Sequence, residues 1–403
     1  MEPIRVHEKR QLDGIPAGSL GIIPVTGCEE MAASIDYYLT NWRAERQSEH
    51  SGSLEYLGYQ RPSYIIDCDL PRFGTGEGKG VVKQSVRGMD IYLLVDVVNF
   101  SKTYRLCGVQ NHMSPDDHYQ NLKRVIAAIG GKARRITVIM PYLYEGRMNA
   151  RAGRESLDCA IALQELVRMG VDNIVSFDAH DPRVMNAIPL SGFDNVQPVY
   201  QFVKGLLRTV PDLQFDSDHM LVISPDEAGM KRAVYFAGLL GLDIGMFYRR
   251  KDYTRLENGM YPVVAHEFLG SDVRGKDMLI IDDMLSSGQG VTEVARGLKE
   301  RGAKRVFVCA TFGLFTGGLD IFDKAYQDRI IDKVLTTNLI YQRPDLLERP
   351  WYHSCDMSKY LAFLIDTLNH DQSISDLLNP AGKIQKILER YRAAQDRGEA
   401  FKI

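Results

Sequence analysis

The chain has 403 residues, 45% of them hydrophobic and 25% charged, with a formal net charge of −3. This length suggests two domains or one large one, and the balance is that of an ordinary soluble globular protein. The charge gives no electrostatic reason to expect nucleic acid as a partner, and no apolar stretch is long enough to span a bilayer.

In chain order, the opening segment MEPIRVHEKRQLDG lacks the apolar core of a secretory signal. LGIIPV then precedes the helical EEMAASIDYYLTNW, and residues 43 to 60 are polar and contain Gly and Ser, the pattern of an exposed insertion. IYLLVDVV leads through a loop to the helical HYQNLKRVIAAIG; RITVIMPYLY precedes ESLDCAIALQELVRMG, and NIVSFDAH follows. The second half continues in the same style, with HMLVISPD, MKRAVYFAGLLG, IGMFYRR, MLIIDD, VTEVARGLKERG and RVFVCATFG. KIQKILERYRAAQDRG, after residue 380, reads as a terminal amphipathic helix. Alternating strands and helices with short links predict an α/β fold of two related domains, each a mostly parallel sheet flanked by helices, dividing near residues 190 to 205. Six cysteines (Cys28, Cys68, Cys107, Cys159, Cys309, Cys355) form no C-x-x-C pair. That argues against a zinc site or a disulfide framework and makes a reducing cytoplasm the expected compartment.

Residues 276 to 300, KDMLIIDDMLSSGQGVTEVARGLKE, carry the most chemistry. An apolar run, Met278 to Ile281, ends in two adjacent carboxylates, Asp282 and Asp283. A small-residue loop follows (Ser286, Ser287, Gly288, Gln289, Gly290), and a helical pattern starts at Val291. Strand, acidic pair, small loop and helix together describe a sugar-phosphate site. Loop amides and a helix N-terminus hold phosphate, small residues let the backbone approach it, and carboxylates accept hydrogen bonds from vicinal ribose hydroxyls. The plainer reading is a solvated Asp-Asp turn. The loop has neither the G-K-[ST] ending of a P-loop nor the G-x-G-x-x-G spacing of a dinucleotide fold.

The segment resembles the phosphoribosyl diphosphate motif of type I phosphoribosyltransferases and of ribose-phosphate diphosphokinases. That motif has an acidic pair, two hydrophobic residues and then, typically, Asp-Thr-Gly-Gly-Thr. Here the third acid is replaced by Ser286 and the closing hydroxyl by Gly290, although Ser287 keeps a hydroxyl in the loop. Further matches to the diphosphokinases follow in the right order, from about Leu20 to about Leu378. SFDAHDPRVMNAIP resembles the family strand ending in Asp-Leu-His, which makes His180 the residue near metal and ATP phosphates. VISPDEAGMKRAVYFAGLLG resembles the Ser-Pro-Asp motif, with Asp226 suited to Mg²⁺ or a ribose contact. On its own, Asp226 also suits a helix N-cap.

PYLYEGRMNARAGRES resembles the family segment whose arginine contacts ATP, which implies that role for Arg147, with Arg151 and Arg154 keeping the basic character. In RFGTGEGKG the resemblance implies that Phe73 stacks on adenine and Glu77 reaches nucleotide from a neighbouring subunit; the family's Asp is Thr75 here. GMFYRRKDY resembles the strand leading to the family's Lys-x-Arg loop, with Arg249 and Lys251 in swapped order. Each of these segments has a plainer reading as a loop histidine, a basic loop or a glycine-rich turn.

The resemblance implies a ribose-phosphate diphosphokinase acting on Mg²⁺·ATP and ribose 5-phosphate, with Arg249, Lys251 and His180 as catalytic groups and His180 and Asp226 at the metal. It implies an ATP-side domain over 1–198, a ribose 5-phosphate-side domain over 199–345 and closing helices over 346–403. It also implies a homo-oligomer, dimer or hexamer, with a shared ATP site. A catalytically impaired regulatory paralogue and a phosphoribosyltransferase are the alternatives, the first favoured by the residues at Thr75, Ser286 and Gly290.

Overall fold

The computed structural model describes residues 15–49, 59–151, 153–251, 254, 263–399 and 401, without the side chains of 47–49, 249–251 and 263–266. The chain forms two compact units. One comprises Met1–Ser176, Arg183–Asp194 and Ser358–Leu378; the other comprises Phe177–Pro182, Asn195–Met357 and Asn379–Ile403. Among the described residues no helix is long and apolar enough to cross a membrane.

The first stretch of chain runs β1 (Ser19–Pro24), α1 (Glu29–Glu49), β2 (Cys68–Asp69), β3 (Val81–Val82), β4 (Met89–Leu94), β5 (Thr103–Leu106), β6 (Val109–His112), α2 (Pro115–Ile129), β7 (Arg135–Ile139), α3 (Asp158–Arg168), β8 (Asn173–Phe177) and β9 (Gly192–Val196). Five strands form a sheet in the order β1-β4-β7-β8-β9, and β2-β3 and β5-β6 are separate two-stranded ribbons. The pairs β1-β4, β4-β7 and β7-β8 are parallel. β4 is buried at every position, as strands covered on both faces must be. Ser114 and Asp117 close a capping box on α2, which sets its start.

Residues 43–49 depart from the expected exposed insertion, because α1 continues through them. Arg43 is 1% exposed and donates to Asp366 and Asn369, and Arg46 pairs with the same Asp366. A buried guanidinium is tolerated only with such partners, and these lie some 320 positions away. Residues 50–58 of that stretch lie outside the described residues.

The chain then runs α4 (Val199–Thr209), β10 (Met220–Ser224), α5 (Met230–Leu240), β11 (Asp243–Lys251), β12 (Val263–Gly270), β13 (Asp277–Leu285), α6 (Gln289–Glu300), β14 (Arg305–Gly313), α7 (Asp320–Gln327), β15 (Lys333–Thr337), α8 (Pro344–Leu347), β16 (Tyr352–Cys355), α9 (Ser358–Asn369), α10 (Ser375–Leu378) and α11 (Ala381–Asp396). α9 and α10 belong to the first unit. The second unit holds a seven-stranded sheet in the order β12-β11-β10-β13-β14-β15-β16. It is parallel except for β12, which pairs antiparallel with β11 and was not evident in the sequence pattern.

Alternation along the strands feeds two cores. Leu279 and Ile281 pack with residues of α4, α5 and α11, while Met278 and Ile280 pack with residues of α6 and α7. Successive strand residues point to opposite faces, so one apolar run serves both. The amphipathic terminal helix is present as α11, with Ile384, Ile387, Leu388 and Tyr391 buried.

Candidate functional site

In the second unit the sheet order reverses direction between β10 and β13. From β10 the chain proceeds outward to β11; from β13 it proceeds the other way to β14, β15 and β16. Such a reversal opens a crevice at the carboxyl ends of the two strands. The register enlarges it: β10 pairs with β13 only as far as Ile223–Ile280, while β13 runs on beside β14 to Leu285 and Gly313. Asp282 and Asp283 therefore lie inside β13, not at its end, on the stretch that β10 has left.

The turn after β13 is shorter than its sequence suggests. α6 begins at Gln289, so Gln289 and Gly290 form its first turn, and only Ser286, Ser287 and Gly288 remain as loop. The Gly288 carbonyl accepts from the Thr292 amide at 3.0 Å and from Thr292 Oγ1 at 2.8 Å, closing that turn. Gly288 has φ +82°, and a β-carbon there would stand 2.4 Å from the Phe322 ring. Both facts demand glycine. Thr316 braces the loop: its amide donates to the Ser286 carbonyl at 3.0 Å, and its hydroxyl lies 3.0 Å from Ser286 Oγ. The Gln289 amide donates to Ser287 Oγ at 3.4 Å, while the Gly290 and Val291 amides have no acceptor within the helix, which leaves them available to an anion.

Asp283 is 3% exposed, and its Oδ2 lies 2.5 Å from His180 Nδ1. Asp282 keeps 26% of its side-chain surface open. Burial, then the neighbouring Asp283 charge, pushes the Asp282 carboxyl well above the ordinary value. Burial also pushes Asp283 upward, but the His180 hydrogen bond and the Arg232 charge outweigh it and hold Asp283 low. The two adjacent carboxyls are thus pushed in opposite directions by their different partners.

Sequence reasoning missed Arg232, on the first turn of α5. Its Nε donates to Asp178 Oδ1 at 2.7 Å, and its other nitrogens stand 3.6 Å from Asp283 and 4.0 Å from Asp282. Asp178 is 2% exposed and also accepts from Gln197 and Thr311. A signal for Arg232 was present: a cation in a first turn, where acids are favoured, four residues before the buried Phe236.

Asp226 follows β10 and is half-buried. Its Oδ1 accepts from the Gly229 amide at 3.1 Å, and its carbonyl accepts from Ser224 Oγ at 2.7 Å. The residue at the N-cap of α5 is Gly229, so Asp226 braces the turn before it. Among the described residues no three His, Cys, Asp or Glu side chains are gathered as a cage for an ion. Carboxylate oxygens and an imidazole at this crevice fit instead an ion that arrives on a polyphosphate with most of its own shell, as Mg²⁺ does. Arg249 and Lys251 lie in β11, with a register shift between Arg250 and Lys251 opposite β12. The segment is strand rather than loop up to Lys251; the side chains of both lie outside the described residues.

The remaining predicted residues belong to the first unit. RFGTGEGKG is a tight turn: the Phe73 amide donates to the Glu77 carbonyl at 2.8 Å, and Thr75 Oγ1 donates to Glu77 Oε2 at 2.9 Å. Phe73 stands 54% exposed, a large apolar face left to solvent. Arg147 and Arg151 are exposed after β7, and Arg151 Nε donates to the Glu155 carbonyl at 2.7 Å.

Known proteins share both the fold and the sequence order of these elements. A family model described as the N-terminal domain of ribose phosphate pyrophosphokinase matches residues 21–170, and one described as the phosphoribosyl synthetase-associated domain matches residues 264–379. A ribose-phosphate pyrophosphokinase of Vibrio parahaemolyticus is 28% identical over 321 residues, covering 78% of this chain and 91% of the relative. One from Pasteurella multocida is 27% identical over 312 residues, covering 77% and 90%. The crystal structure of phosphoribosylpyrophosphate synthetase from Mycobacterium smegmatis superposes with a TM-score of 0.67 at 20% identity, covering 88% of this chain and 99% of that one. That likeness shows the fold. With both family models matched in order, and relatives aligned along nearly their whole length, the chain belongs to the ribose-phosphate pyrophosphokinase family.

Proposed function

We infer that the chain is a ribose-phosphate diphosphokinase: it transfers the diphosphoryl group of ATP to the 1-hydroxyl of ribose 5-phosphate, giving 5-phosphoribosyl 1-diphosphate and AMP. The observation that carries this reading is the acidic pair of β13 set in the crevice between β10 and β13, directly before a small-residue turn and the N-terminus of α6. The matches are to synthetases, which favours this reading over the phosphoribosyltransferase and regulatory-paralogue alternatives.

Asp282 and Asp283 accept hydrogen bonds from the ribose hydroxyls, and the Ser287–Gly290 backbone holds the 5-phosphate. The sugar is then fixed at both ends, and its 1-hydroxyl oxygen is aimed. That oxygen attacks the β-phosphorus, the bond from β-phosphorus to the bridging oxygen breaks, and the electron pair leaves with AMP. The hydroxyl proton passes to solvent. Alignment of this kind removes roughly 7 to 11 kcal/mol of a barrier, so no covalent nucleophile is needed. Arg249, Lys251 and Arg147 offset charge on the transferring group. Phe73, Glu77 and Arg151 serve the nucleotide, with the first 198 residues as its side of the enzyme. Asp226 and His180 would hold Mg²⁺, which when bound would neutralise charge on phosphate oxygens. Assembly of several copies, sharing the ATP site, and residence in the cytoplasm complete the proposal.

The test is AMP release from purified protein given ribose 5-phosphate, ATP, Mg²⁺ and inorganic phosphate, with product identity established by mass. Formation of 5-phosphoribosyl 1-diphosphate supports the reading. Binding of both substrates without turnover overturns it in favour of a regulatory paralogue.

A further inference from the structure

One guanidinium stands among three carboxylates, and it treats them differently. Among the described residues Arg232 makes a hydrogen bond only to Asp178, at 2.7 Å; at 3.6 and 4.0 Å it approaches Asp283 and Asp282 as a charge alone. Asp178 is held for that task. Gln197 Nε2 donates to its Oδ1 at 2.9 Å and Thr311 Oγ1 to its Oδ2 at 2.7 Å, while its own amide donates to the Val196 carbonyl at 2.8 Å. Its φ of +41° is uncommon for a residue with a β-carbon, and a position of that kind persists only when its surroundings over-determine it.

The consequence concerns the lone pairs of the acidic pair. Two neighbouring carboxylates repel, and a cation is the obvious remedy. A guanidinium bonded directly to them would occupy the oxygens that sugar hydroxyls must reach, because its fork matches a carboxylate edge. Anchored on Asp178 instead, Arg232 supplies charge from outside hydrogen-bonding distance. We propose that Arg232 is a positioning residue for the sugar: it offsets the charge of Asp282 and Asp283 without adding a hydrogen bond to oxygens that already meet His180 and the Asp283 and Met284 amides, so the exposed edge of Asp282 stays open to a sugar hydroxyl. The proposal rests on the sugar-binding reading of that pair. A purely structural role is the rival: Arg232 would merely neutralise buried Asp178.

Kinetics of two variants separate these. R232Q is expected to raise KM for ribose 5-phosphate roughly 10- to 100-fold, the range for losing hydrogen bonds to charged groups, with KM for ATP unchanged. The double variant D178N/R232Q removes the buried Asp178 charge together with its partner and leaves Asp283 its His180 contact, so it should melt near wild type even where R232Q does not fold. If Arg232 serves the acidic pair, the double variant keeps the raised KM for the sugar. Recovery of the wild-type KM in the double variant, or an unchanged KM in R232Q, overturns the proposal. R232K should recover only part of the loss, since an ammonium cannot span three carboxylates. Wild-type protein that neither turns over nor binds ribose 5-phosphate by calorimetry overturns the sugar reading itself, and this proposal with it.

Discussion

At the scale of single residues, two positions show how local chemistry constrains the site. Gly288 combines φ +82° with a ring of Phe322 where a β-carbon would go. G288A should therefore cost about 1 to 3 kcal/mol and raise KM for ribose 5-phosphate, because the turn that offers amides to the phosphate must shift. Thermal melts and steady-state kinetics check both; a variant with wild-type values would mean that the turn yields without penalty. His118 acts on stability instead. It is fully buried, its Nε2 lies 2.8 Å from the Asn99 carbonyl, and its buried Nδ1 has no partner among the described residues. Burial, offset in part by the Asn99 bond, lowers its pKa below 6.5. The unfolded chain then takes up the proton first. The stabilisation is complete above about pH 6.5 and is lost as pH falls toward the depressed folded value, by at most about 1.4 kcal/mol per pH unit. Urea unfolding of wild type and H118Q at about pH 7.5 and about pH 5.5 should show a smaller loss in H118Q. His353 and His370 are also lowered by burial and add to the wild-type slope. Equal losses in both proteins would remove His118 from that account.

At the scale of elements, periodicity was legible and pairing was not. The unbroken apolar run MLII of β13 marks a strand buried on both faces, and the apolar spacing of α6 and α11 marks helices with one packed side. The extension of α1 through residue 49, the antiparallel β12 and the early start of α6 at Gln289 were missed, because each depends on a distant partner or a local turn rather than on composition. Arg43 and Arg46 look solvent-facing until Asp366 is placed beside them. α11 gives a direct test of packing: Leu388 is 1% exposed among residues of α4 and α5, and the Tyr391 hydroxyl donates to the Pro211 and Leu213 carbonyls at 2.7 and 3.0 Å. L388A should cost about 2 to 5 kcal/mol, read as a shift in the denaturant midpoint. A loss below about 0.5 kcal/mol, the surface range, would mean that the helix is not part of that core.

At the scale of the whole molecule, the assignment of substrates to units makes a prediction of its own. Ribose 5-phosphate should slow amide hydrogen exchange at residues 286–291, whereas ATP should slow it around 72–77 and 147–151. The reverse pattern would overturn the assignment of the nucleotide to the first unit. All six cysteines are free thiols and four of them are buried, so none of this depends on oxidation state in the way a disulfide framework would. By itself the sequence determined the α/β class, most strands and helices, the acidic pair and the loop that follows it. These are written in periodicity and in contiguous residue types, which act over a few positions. Tertiary structure decided the rest. His180 meets Asp283 across 103 positions, and Arg232 gathers Asp178, Asp282 and Asp283 because strand order and register bring α5 and β13 to one crevice. No local pattern records those distances, since they are set by which strands become neighbours and how far each outruns the next.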